Sequence, residues 1–236
     1  MSDLLAGARV DSAVWDRFPD YVAVVMSVTN LRPGPSTEHS ERLLAAAEEC
    51  ARRVIGEGAA HELAEVAVWR DAYASFGVKP REARSSVESL LRRADKGLPR
   101  IDRLTDVYNA ISVMHQIPIG GENLAAYLGP PQLVISDGTD LFDTTADGER
   151  IEEAVPAGEI VWKDDSGVTC RRWNWRQCVR TRLGEETEQA LFIIDGLGPE
   201  AKARAQDAAD ALVRELQVDA PDLAVEMIVV ESVPRQ

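Results

Sequence analysis

Two stretches of the chain concentrate side chains able to bind or cut a small ligand. The first, VYNAISVMHQIPIGGEN from Val107 to Asn123, places Asn109 and Ser112 on an otherwise apolar segment that then runs into Pro118, Gly120, Gly121 and Glu122. A polar group buried without a partner costs about 1 to 3 kcal/mol, so Asn109 and Ser112 are either structural staples or ligand contacts. Paired glycines let backbone N–H groups approach a ligand closely, and they equally build a helix C-cap and tight turn. Glu122, the only carboxylate of the segment, could orient a water or hold an amino group.

The second stretch, VTCRRWNWRQCVRTR from Val168 to Arg182, carries five arginines and no acid. A strand over Thr169 to Trp175 would put Cys170, Arg172 and Asn174 on one face and Arg171, Trp173 and Trp175 on the other. Arginine forks bind phosphates and carboxylates bidentately, and a neighbouring Trp either stacks on a base or fills the core.

No GxSxG elbow, P-loop, HExxH or strand-borne GxGxxG occurs, which removes the common nucleophile, nucleotide and zinc-protease signatures. The three histidines are scattered. His39 and His61 fall on polar helical faces, whereas His115, beside the Gly-rich turn, is kept as a site candidate. Cys50, Cys170 and Cys178 form no CxxC, so reduced, buried thiols are expected and neither a metal nor a cofactor is.

The elements that must position these residues follow from periodicity. Tyr21 to Val28 is a β-branched run that reads as a buried strand, and Ser36 and Thr37 open an amphipathic helix through Leu43, Leu44, Ala47, Cys50 and Val54. Further helices are expected over Glu62 to Phe76, Ser85 to Ala94 and Leu104 to Met114. After Pro118 come short strand-like runs, QLVIS, EIVWKD, VTCRRWNW and ALFIID, with a hairpin signal at Asp164-Asp165-Ser166-Gly167. The chain closes with a helix over Glu200 to Leu216 and a strand over Ala224 to Val230. Helices cluster before strands instead of alternating with them, so the expected fold is α+β, a mixed β-sheet flanked by helices, in one domain over 1–236.

The net charge of −14, from 26 Lys plus Arg against 40 Asp plus Glu, would repel nucleic acid if spread evenly. It is not spread evenly. Trp69 to Arg103 holds nine basic residues against five acidic ones, and with Val168 to Arg182 it must meet any polyanionic partner. No window reaches the roughly 18 apolar residues of a membrane span, and the opening MSDLLAGARVDS has no leader-like pattern, so a cytoplasmic protein with no membrane partner is expected.

From about Trp69 to Asp195 the chain resembles the B3/B4 domain, the editing domain of the bacterial phenylalanyl-tRNA synthetase beta chain, in free-standing form. The resemblance is carried by WRDAYASFGVKPREARSSVESLLRRADKGLP, then LTDVYNAISVMHQIPIGGENL, then AGEIVWKDDSGVTCRRWNWRQCVRTR, then a Thr187-centred turn before LFIID. It implies the same fold, with 69–195 as its core, and hydrolysis in trans of the ester of mischarged tRNA. In the synthetase the mischarged species is in particular tyrosine on the phenylalanine tRNA.

Asn109 carries over because VYNAISVM resembles the synthetase's aspartate-isoleucine-threonine-asparagine segment. A histidine near the end of that region is replaced here by Gly120-Gly121-Glu122, and the synthetase's glycine-glycine-glutamate element falls opposite Trp173 to Gln177. Tyrosine specificity is therefore not carried over. The implied roles are Asn109, Gly120, Gly121 and Glu122 in catalysis, with the glycine amides or Asn109 as oxyanion donors. Ser112, His115, Asn174, Arg176 and Gln177 would contact the substrate, and Lys79, Arg81, Arg84, Arg92, Arg93, Arg171 and Arg172 would contact tRNA, with no DNA partner. Two alternatives remain open: a non-catalytic module of the same fold that binds RNA or an amino acid, and a small-molecule hydrolase without a tRNA partner.

Overall fold

The computed structural model describes residues 3–232. In chain order its elements are α1 (Asp3–Ala6), β1 (Arg9–Val10), α2 (Ser12–Arg17), β2 (Val22–Thr29), α3 (Glu38–Ile55), α4 (Ala64–Ser75), α5 (Ser86–Leu91) and α6 (Arg103–His115). There follow β3 (Ile119–Asn123), β4 (Gln132–Ile135), β5 (Leu141–Ala146), β6 (Glu149–Ala154), β7 (Ile160–Asp164), β8 (Gly167–Arg171), β9 (Arg176–Gln177), β10 (Ala190–Gly196), α7 (Ala201–Asp219) and β11 (Ala224–Glu231).

The strands make two sheets. A four-stranded antiparallel sheet has the order β11-β2-β10-β3. The other is mixed, with the order β1-β4-β7-β8-β5-β6, β9 adding to β8, and parallel pairing at β1/β4 and β5/β8. The runs VAVVMSV and ALFIID are apolar at every position but Ser27 and Asp195 because both faces of the four-stranded sheet are covered. On one face, Val24, Met26, Phe192 and Ile194 pack on Leu104, Val107 and Ile111 of α6 and on the Ala-rich side of α7. On the other, Ala23, Val25, Leu191 and Ile193 join a core shared with α3, α4 and the mixed sheet.

Local signals set most helix ends. Thr37 caps α3 by accepting from the Ser40 amide, and Asp102 caps α6 by accepting from the Thr105 amide at 2.8 Å. The expected helix from Glu62 is split, with a 3-10 turn over Ala60–Glu62 preceding α4, and α5 stops at Leu91. The Asp164–Gly167 hairpin forms as its turn residues require, the Asp164 carboxylate accepting from the Ser166 and Gly167 amides.

Two expectations about the site-bearing segments are corrected. The Gly120-Gly121 segment is the strand β3 at the edge of the four-stranded sheet, not a turn. The strand expected to reach Trp175 ends at Arg171, because Arg172 and Trp173 both adopt positive φ, 48° and 69°. That left-handed corner cancels the two-residue alternation and turns Trp173 inward, where it meets Phe18, Tyr21 and Trp69 edge-on at ring centroid distances of 4.9, 4.8 and 5.2 Å. A bulky side chain at positive φ is costly, and burial of this indole offsets the cost.

Candidate functional site

The corner at Arg172-Trp173 projects the following residues toward α6. Asn174, Trp175, Arg176 and Gln177 form one side of a cleft of about 250 Å³; Tyr108 and Asn109 of α6 and Gly120 of β3 form the other, and α5 closes one end. The Ser86 amide donates to the Asn174 carbonyl at 3.0 Å and so ties α5 to the corner. Asn109 and Asn174, far apart in sequence, are thus brought together.

Their amides are held differently. Asn174 is fixed on both sides: the Tyr73 hydroxyl donates to its Oδ1 at 3.0 Å, and its Nδ2 donates to Asp195 Oδ2 at 3.4 Å. Asp195 also accepts from the Tyr21 hydroxyl at 2.6 Å and from Trp162 Nε1 at 3.2 Å. Asn109 is buried, 8% exposed, and faces the cleft with no side-chain hydrogen bond to any described residue. Its amide atoms open onto the cleft, so a ligand entering there would take over hydrogen bonds otherwise made to water.

The edge position of β3 decides which glycine offers backbone groups. The Gly121 carbonyl accepts from Gln177 Nε2 at 3.1 Å and the Asn123 amide donates to the Thr181 carbonyl at 2.7 Å, so these residues point away from the sheet. By antiparallel alternation Gly120 and Glu122 turn their N–H and C=O groups toward β10. The Gly120 amide is consumed by the sheet and cannot serve as an oxyanion donor. Gly121 is required sterically, since a Cβ there would lie 2.8 Å from the Phe192 ring and 3.0 Å from Tyr108, whereas one at Gly120 would meet only the end of the Gln177 side chain, at 3.0 Å, which can move aside.

Glu122 does not face the main cleft. It lies behind it, hydrogen-bonded by the Tyr127 hydroxyl, against a hollow of about 20 Å³ that it shares with Asp195, Cys170 and Gln177. Burial raises both carboxyls, Glu122 to about 7 and Asp195 to about 6, against the hydrogen bonds each accepts. Burial likewise pushes up the Cys170 thiol and the Tyr21 and Tyr73 phenols, so all three are neutral at physiological pH.

Other expected site residues lie elsewhere. Ser112 is a staple: its hydroxyl donates to the Ile117 carbonyl at 2.6 Å, closing the end of α6. His115 sits half-buried on the last turn of α6 near Asp207 and Arg214, outside the cleft, where burial lowers its pKa. Arg171 is buried in ion pairs with Glu159 at 2.8 Å and Glu153 at 3.1 Å and cannot meet a phosphate. Arg84 pairs with Glu88 at 3.5 Å. Arg172 donates to the Glu82 carbonyl and stacks 4.4 Å over Trp175. Arg93 at the cleft mouth, Arg176 on its rim, and Lys79, Arg81 and Arg92 are exposed and make no ion pair among the described residues.

Asp195 and Tyr73 had no motif to announce them. The available signal was one acid closing the apolar run LFIID and a Tyr on the buried side of α4. Among the described residues no group of three potential ligands could hold a metal, and no helix is long and apolar enough to cross a membrane.

An N-terminal fragment of the phenylalanyl-tRNA synthetase beta-subunit from Pyrococcus horikoshii is similar in fold, with a TM-score of 0.50 at 11% sequence identity. The likeness covers 95% of this chain and 54% of that one, so the chain spans about half the length of that fragment. No curated protein matches. Residues 68–229 match the B3/4 domain. With more than half of its length inside that match, and with the cleft residues Asn109 and Asn174 within it, the chain belongs to the B3/4 domain family.

Proposed function

We propose that the protein is a trans-acting deacylase that hydrolyses the ester bond of mischarged aminoacyl-tRNA, using the cleft between Asn109 and Asn174. The observation that carries this reading is the convergence of two amides, one of them with no partner among the described residues, at a cleft whose rim holds the guanidiniums of Arg93 and Arg176, which pair with none of those residues either. An aminoacyl ester is already activated, so a site needs chiefly to hold it, place one water and stabilise the developing oxyanion. Asn109 donates to the ester oxygen, Asn174 and Gln177 contact the aminoacyl group, and Arg93 and Arg176 meet the terminal phosphates. Lys79, Arg81 and Arg92 hold the acceptor arm through its backbone.

Membership of the B3/4 family and the fold likeness to a synthetase beta-subunit fragment support a tRNA substrate. The test is deacylation of a panel of mischarged tRNAs by the wild-type protein, Asn109→Ala and Asn174→Ala. Hydrolysis above buffer that both substitutions reduce is expected; none across the panel ends this reading. A second reading, capture of the charged acceptor end without turnover, is favoured by one feature: Glu122 and Asp195 are both withdrawn from the main cleft, so no carboxylate lines it to act as a base. It predicts saturable binding and no product.

A further inference from the structure

We infer that Asp195 is a positioning residue for this site, fixing through its Oδ2 which way the Asn174 amide faces. The inference rests on the deacylase reading above. Asp195 ends the apolar strand β10 and is 2% exposed, yet no cation pairs with it among the described residues. A buried acid without a counter-ion is expensive and persists where its hydrogen bonds do something an apolar residue could not. Here three donors converge on it, from Tyr21, Trp162 and Asn174, each from a different part of the chain.

The consequence for Asn174 follows from donor and acceptor counting. Asp195 in its charged form only accepts, so it selects the Nδ2 side of the amide. The Tyr73 hydroxyl, on the opposite side, donates to Oδ1, and because a phenol can also accept it follows the amide instead of dictating its direction. Reversal is opposed at one end alone, where it would set Oδ1 against the Asp195 carboxylate. One N–H of Nδ2 is used by Asp195 and the second is left for a ligand. Protonation of Asp195 puts a hydrogen on the carboxyl that must compete with Tyr21, Trp162 or Asn174, so the grip on the amide weakens as pH falls through the region of 6.

The titratable groups around Asp195 are Tyr21 ahead of β2, Tyr73 on α4, Cys170 on β8 and Glu122 on β3. The phenols and the thiol are neutral throughout this range, so only Glu122, at about 7, titrates nearby. Glu122 is bonded by Tyr127 and Thr169 and does not touch Tyr21.

The test is kcat, KM and the pH profile between about 5 and 8 for wild type, Asp195→Asn and Tyr21→Phe, on a mischarged tRNA that the wild type hydrolyses. In Asp195→Asn the new NH2 must face either the Trp162 N–H, which cannot turn away, or Asn174, which must then reverse. We expect kcat to drop by about 10²-fold, the scale of a reacting group misplaced by an ångström, with KM little changed. Tyr21→Phe removes a donor that stabilises the carboxylate, so the acid limb moves to higher pH while the plateau is kept. A limb that does not move in Tyr21→Phe, or Asp195→Asn with wild-type kcat, overturns the role of Asp195 and leaves the deacylase reading standing. A wild type inactive on the whole panel removes that reading itself. If Asp195→Asn does not fold, the position of the limb in Tyr21→Phe decides.

Discussion

The Tyr73 hydroxyl reaches across from α4 to donate to Asn174 Oδ1 at 3.0 Å, so a helix outside both arginine-rich and glycine-rich segments sets the geometry of the cleft. Tyr73→Phe keeps the ring and its contact with Phe76 but leaves a buried carbonyl oxygen without that donor. The predicted cost is about 1 to 3 kcal/mol of stability, measurable by urea unfolding, together with weaker retention of an aminoacyl ligand. Unchanged stability and unchanged affinity would show that the bond contributes nothing.

Asp195 and Glu122 carry folded-state pKa values raised to about 6 and about 7 by burial, above their ordinary values of 3.8 and 4.5. The native state therefore binds protons more tightly than the unfolded chain, and stability falls as pH rises from about 4 to about 7, on the order of 3 kcal/mol for each group. Asp195→Asn and Glu122→Gln flatten that part of the stability curve. Urea midpoints across the window check it, and a stability that climbs steadily from pH 4 to 7 contradicts it.

The basic residues divide into two populations with separable phenotypes. Arg92→Glu with Arg93→Glu is predicted to impair hydrolysis of charged tRNA, lower the salt slope of binding by about 1 per lost phosphate contact, and spare a free amino-acid ester. No loss on either substrate would point to a small-molecule hydrolase, and equal loss on both to damage of the cleft that Arg93 lines.

Arg171→Ala belongs to the other population. It removes the bidentate partner of Glu159, 6% exposed on its side chain, leaving it the Arg172 amide at 3.1 Å and the Arg172 guanidinium at 3.6 Å, and is predicted to cost about 1.5 to 3 kcal/mol of stability without changing the salt slope. Thermal unfolding and salt titration of the same sample distinguish it from a phosphate contact.

Gly121→Ala tests the edge strand. The added methyl lands 2.8 Å from the Phe192 ring and 3.0 Å from Tyr108, the neighbour of Asn109. Overpacking of about 1 to 3 kcal/mol is predicted, with a loss of deacylation larger than that of Ala substituted for a remote glycine such as Gly184, where a Cβ meets nothing. Equal activity of the two variants would free Gly121 of any role at the site.

The buried strands Val22–Thr29 and Ala190–Gly196 and the capped helices α3 and α6 were legible because apolar runs and cap residues act locally. The hairpin β5/β6 was missed although Asp147-Gly148, both at positive φ, is a two-residue turn signal; its strands are too polar to stand out by periodicity. Asn109 stood out as a polar residue on an apolar helix, whereas Asn174 was singled out only through the family resemblance. Their surroundings were not legible: whether Ser112 bonds a backbone carbonyl or Arg171 meets a buried glutamate depends on contacts made only after the chain has folded. The corner at Arg172-Trp173 was invisible for the same reason, since neither residue favours a left-handed backbone.

Trp173 anchors that corner in the apolar interior against Phe18, Tyr21 and Trp69. Asn174 and Trp175 therefore inherit their coordinates from edge-on aromatic packing, whereas Arg176 and Gln177 beside them are held by the β8–β9 ladder. Trimming any of these rings removes a support of Asn174 and Trp175, so the residues that shape the cleft extend well beyond those that line it.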